Sequence, residues 1–89
     1  MKIDLLSVRQ VFMDLLSGHI SREQADRWAY TVIQQAEGGQ LVFCPPGDQQ
    51  RIWAGVMYLY GVDAKESPQE YLHTDEDIRA AMHEKIGSL

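Results

Sequence analysis

The sequence predicts an all-α fold: a compact four-helix bundle-like single domain over residues 1–89, with short loops. Three observations carry that expectation. Apolar residues recur three and four positions apart in four separate segments, the rhythm of an amphipathic helix. Each segment is flanked by a capping residue, by a glycine, or by both. The length of 89 residues is enough for one core and too short for two.

In the first segment, Lys2 to Ser17, the apolar positions are Leu5, Val8, Phe12, Leu15 and Leu16. Gly18 follows, a residue that can take the left-handed conformation that ends helices. The second helix opens on Ser21, which can form a capping box with Gln24, while Ile20 can staple against Ala25 and Glu23 meets the positive end of the helix dipole. Its apolar series is Ala25, Trp28, Ala29, Val32, Ile33 and Ala36, and Gly38-Gly39 ends it. The gap from Gly18 to Ser21 is so short that the two helices should be neighbours.

Leu41 to Cys44 reads as an apolar crossover rather than a strand, because no partner strand is evident in the chain. Asp48 can cap a third helix, Gln49 to Tyr60, whose apolar residues Ile52, Trp53, Ala54, Val56, Met57, Leu59 and Tyr60 surround the axis, as in a buried helix. Trp28 and Trp53 are expected as core anchors. Ser67-Pro68-Gln69-Glu70 suits an extra short helical turn near residues 68–72. Thr74 then caps a fourth helix whose first turn is Asp75, Glu76 and Asp77, with Ile78, Ala81, Met82 and Ile86 facing inward.

Composition excludes function classes. Thirteen acids against eight bases give a net charge of −5. The pI is about 4.9, which argues against nucleic acid as a partner. No apolar run approaches the roughly 18 residues of a membrane span, and Met-Lys-Ile-Asp is no signal-peptide start, so a cytoplasmic location is expected. The single cysteine cannot form an internal disulfide. Helix-turn-helix recognition is set aside because Arg22 and Arg27 on helix two are offset by Glu23, Asp26 and Glu37.

No catalytic, cofactor or metal motif emerges, so the chain is not expected to be an enzyme. Asp75, Asp77 and Arg79 fail the calcium-loop pattern, and His19, His73 and His83 have no short metal spacing. Cys44 reads as a small buried hydrophobe, and Ser7, Ser17 and Ser88 sit in no nucleophile context. A small enzyme would need a deep pocket holding Cys44 and a histidine.

The charge itself is uneven. Between Tyr60 and Asp77 there are six acids and one base, Lys65, while the seven acids and seven bases elsewhere cancel. Either this is a solvated loop running into a helix N-terminus, or Tyr60, Asp63, Glu66, Glu70, Tyr71, Asp75, Glu76 and Asp77 form a surface for a basic partner.

Ser21-Arg-Glu-Gln-Ala-Asp-Arg-Trp-Ala29 and Tyr71-Leu-His-Thr-Asp-Glu-Asp-Ile78, 17 of the 89 residues, resemble segments of small bacterial immunity proteins from contact-dependent and polymorphic toxin systems. The chain departs from the nuclease-colicin immunity proteins, which carry an adjacent tyrosine pair, since Tyr58 and Tyr60 are here separated by Leu59. The resemblance implies a protein that neutralises a cognate toxin domain, typically a basic nuclease, by binding it through the acidic surface. The runner-up is a small helical adaptor that self-associates. The first reading favours a monomer and the second a homodimer.

Overall fold

Polar side chains set where three of the four helices begin. The computed structural model describes residues 1–87, so Ser88 lies outside the described residues. Asp4 caps α1 (Leu5–Leu16), its carboxylate accepting the Ser7 N–H at 2.7 Å. Ser21 caps α2 (Arg22–Glu37) in the expected reciprocal box with Gln24, and Thr74 caps α4 (Asp75–Lys85) in a second box with Asp77. Gly18, at φ +82°, turns the chain between α1 and α2 in the left-handed region that glycine adopts without strain.

α3 (Gln49–Leu59) follows a short 3-10 turn, Pro46–Asp48. It packs against each of the other three helices, and α1 also lies against α4. Phe12, Val8, Val32, Ile52, Val56, Leu59, Ile78 and Ile86 are fully buried where these helices meet. Gly55 is the tightest point: a Cβ there would stand 2.7 Å from Val8 Cγ1, so α1 approaches α3 more closely than any side chain permits.

The fold is mostly helical but not all-α. Leu41 to Cys44 does contain a strand, β2 (Val42–Phe43), paired in parallel with β1 (Lys2–Ile3). The partner was hidden because Lys2 and Ile3 read as the start of the first helix, whereas the helix begins only after the Asp4 cap. Val42 N–H donates to Met1 O and Cys44 N–H to Ile3 O, both at 2.8 Å, which satisfies the backbone of the crossover.

The helical turn expected near residues 68–72 is instead a hairpin, β3 (Lys65–Ser67) with β4 (Glu70–Tyr71), turning at Pro68-Gln69. Ser67 and Glu70 face each other across that turn, and all three residues of β3 are exposed.

Three smaller expectations also change. Asp48 makes no side-chain cap bond and instead forms an ion pair with Arg51 at 3.8 Å. α3 is not buried all round: Met57 is exposed, and Tyr60, the residue that ends the helix, is exposed too. Trp28 and Trp53 are half-buried and pack on the margin of the core, Trp53 meeting Phe43 edge to face at 6.3 Å.

Candidate functional site

The acidic segment is less available than its charge suggests. Asp75 is bound by Arg22 at 3.2 Å, and Asp77 serves the Thr74 backbone at 3.1 Å. Both, with Glu76, occupy the first turn of α4, where the helix dipole favours negative charge. The Tyr71 hydroxyl donates to Glu23 at 2.6 Å, and the Arg22 guanidinium lies 4.5 Å above its ring. That hydrogen bond holds the Glu23 carboxyl below its ordinary pKa and raises the Tyr71 phenol, since it favours the charged acid and the neutral phenol together.

Arg22 thus gathers Tyr71, Asp75 and, through a 2.6 Å bond, the His73 carbonyl, fastening the hairpin end and the start of α4 to α2. Its own side chain is only 14% exposed. Asp63 is half-buried in the turn after α3, while Glu66 and Glu70 are exposed on the hairpin. Tyr60 joins none of them; its ring stacks on Tyr30 of α2 at 6.3 Å. Of the eight residues, Tyr71, Asp75 and Asp77 are thus engaged in bonds that hold the fold.

A different cluster lies between α1 and α4. Arg9, Met13, Leu16 and Ser17 from α1 and its end, with Arg79, Met82 and His83 from α4, line an open groove of about 400 Å³. Its charged or titratable lining residues are Arg9, Arg79 and His83, with no carboxylate among them. Arg9, Arg79 and His83 are exposed, over a floor formed by buried Met82 and half-buried Leu16. Among the described residues neither arginine enters an ion pair, whereas Arg22 and Arg51 do.

Such a groove presents guanidinium forks to an oxyanion and a thioether floor to an apolar surface. The sequence hides it, because Arg9 and Arg79 stand 70 positions apart and converge only once α1 packs on α4. The one local trace is Arg79 and His83, four residues apart on one helix face.

Other chemistry finds little support. Among the described residues no group of three or more His, Cys, Asp or Glu side chains is placed to hold a metal ion, and no helix is long and apolar enough to cross a membrane. Cys44 is half-buried beside Pro45, away from the groove lining.

A family model described as "YxzC DNA-binding protein" matches residues 3–85, and the chain belongs to that family. It is also similar to the uncharacterized protein YxzC of Bacillus subtilis (strain 168), with 30% identity over 64 residues. The match takes in 72% of this chain and 47% of that protein, so the chain spans about half the length of its curated relative. No solved structure matches.

Family membership overturns the resemblance to immunity proteins, the toxin partner drawn from it and the adaptor alternative. It also overturns the exclusion of nucleic acid. The physical reason lies in the two segments that carried the resemblance: each contains a capping box, Ser21 with Gln24 and Thr74 with Asp77, a generic device for starting a helix. Net charge averages over the whole surface, so an acidic total does not by itself exclude a nucleic-acid partner.

Proposed function

We propose that this member of the YxzC DNA-binding family binds DNA through the groove between α1 and α4, with Arg9 and Arg79 holding backbone phosphates. The observation that carries this reading is the convergence of two ion-pair-free guanidinium groups from two helices on a lining without carboxylates. Guanidinium groups bind phosphate in a bidentate manner, and backbone contacts supply most of the affinity of non-specific complexes. His83 adds a ring nitrogen at the same lining. Met13 and Met82 offer apolar surface suited to deoxyribose.

The acidic segment has the opposite role. Asp63, Glu66 and Glu70 repel a polyanion, so they orient the approaching duplex toward the groove. The chain acts by binding, without catalytic chemistry, in the compartment that holds the DNA.

The test is fluorescence anisotropy with a labelled duplex. Arg9→Glu and Arg79→Glu should each abolish measurable binding at moderate salt, because each replaces a phosphate contact with a repulsion. Glu66→Lys should leave binding intact or strengthen it. Equal affinity of the Arg9→Glu, Arg79→Glu and unaltered chains would place the DNA elsewhere.

A further inference from the structure

Outside the groove, two exposed aromatic rings lie side by side. Tyr30 on α2 and Tyr60 at the end of α3 are 46% and 47% exposed, yet their rings lie nearly parallel, 19° apart with centroids at 6.3 Å.

Two bonds fix the backbone that carries the rings. Gly61 N–H donates to the Asp26 carboxylate at 2.7 Å, tying the end of α3 to α2 one turn before Tyr30. Tyr60 N–H closes the helix onto Val56 O at 2.9 Å. Gly61, at φ +85°, then carries the chain away from the rings. Neither hydroxyl has a hydrogen-bond partner among the described residues, so the rings are not held by their polar ends.

The charge beside them is sorted. Arg27 is exposed one turn before Tyr30 on α2 and enters no ion pair among the described residues. The nearby Asp26 carboxylate is occupied by Gly61, while Asp63 is half-buried three residues beyond Tyr60. A phosphate is welcome at Arg27 and unwelcome near Asp63. A flat neutral ring is welcome on the outer face of either tyrosine.

We propose that Tyr30 and Tyr60 form a stacking platform for an unpaired nucleobase, with Arg27 taking the phosphate attached to it. This inference rests on the DNA-binding reading and adds a second contact to it, one that favours single-stranded or locally opened DNA. Base-on-aromatic stacking tolerates any base because every base has a π-face, and a tyrosine ring has only two side-chain torsions to fix on binding.

The platform and the groove separate experimentally. Affinities are measured for a labelled duplex and for single-stranded oligothymidylate, using the unaltered chain, Tyr30→Ala, Tyr60→Ala and the ring-preserving Tyr30→Phe and Tyr60→Phe. The alanine variants should lose about 5- to 150-fold on the single strand, with duplex affinity and the phenylalanine variants unchanged. In the unaltered chain, the Tyr30 and Tyr60 ring protons should shift upfield in NMR spectra on adding oligothymidylate, a readout independent of how the variants fold. Unshifted rings, or equal losses on both DNAs, would overturn the platform while leaving duplex binding in place. Failure of the unaltered chain to bind either DNA would overturn the DNA-binding reading and the platform with it.

Discussion

The groove between α1 and α4 and the segment from Tyr60 to Asp77 carry opposite charge and use it differently. In the acidic segment the conspicuous residues are partly committed: Asp75 to Arg22, Asp77 to the Thr74 cap, Tyr71 to Glu23. In the groove, Arg9 and Arg79 face solvent with no ionic partner among the described residues. A charge spent on holding the fold contributes little to recognition, whereas an uncompensated one attracts a ligand. Here the quieter region in the sequence is the better candidate for function.

The two regions meet along α4, which carries Asp75 to Asp77 in its first turn and Arg79 and His83 further on, and a chain of rings beneath them should have the largest effect when broken. Phe12 of α1 stacks on Tyr58 of α3 at 6.0 Å, and Tyr58 meets His73, just before α4, at 5.2 Å. Phe12 is fully buried, so Phe12→Ala should cost about 3–5 kcal/mol in urea denaturation and loosen groove and hairpin together. Unaltered stability would show that the two regions are supported separately.

Arg22→Ala should act on one side only. It removes the bonds to His73 and Asp75 and the guanidinium above Tyr71, for a loss of about 2 kcal/mol. Hydrogen exchange should quicken in the hairpin and at the start of α4, while duplex binding persists. Gly55→Ala should act on the other side, because its new methyl group would press on Val8 and force α1 away from α3. That overpacking should cost about 1–3 kcal/mol and weaken DNA binding more than Arg22→Ala does, by calorimetry and anisotropy on the same samples.

The smallest effect is a pH dependence. The Glu23 carboxyl ionises at lower pH in the folded chain than in the unfolded one, chiefly because Tyr71 donates to it. Its contribution is therefore complete above the ordinary glutamate value near 4.3 and is lost as pH falls through the depressed folded value. Tyr71→Phe should lower the melting temperature slightly at neutral pH and make its fall in acid shallower. An acid limb as steep as that of the unaltered chain would remove Tyr71 as the cause.

Much of the helical framework was legible in the sequence. Ser21 with Gln24 and Thr74 with Asp77 mark helix starts through hydrogen bonds between neighbouring residues, and such bonds are visible in local spacing. The β1–β2 pair was not legible, because it joins residues 40 positions apart and each strand has only two residues. The hairpin was missed because Ser67-Pro68-Gln69-Glu70 suits a helical first turn and a tight turn equally well. The groove was the least legible feature: Arg9 and Arg79 are unremarkable on their own helices, and only the packing of α1 on α4 brings them to one lining. The acidic segment stood out because net charge is additive along a sequence, but which of its acids are already bonded is not.

The most direct test of the account is the salt dependence of duplex affinity. If Arg9 and Arg79 each neutralise one phosphate, log K should fall against log salt concentration with a slope of about −2 for the unaltered chain. The slope should drop to about −1 in Arg9→Ala and in Arg79→Ala, and approach zero in the double variant. A double variant that binds as tightly as the unaltered chain, with the same slope, would contradict the assignment of the α1–α4 groove to DNA.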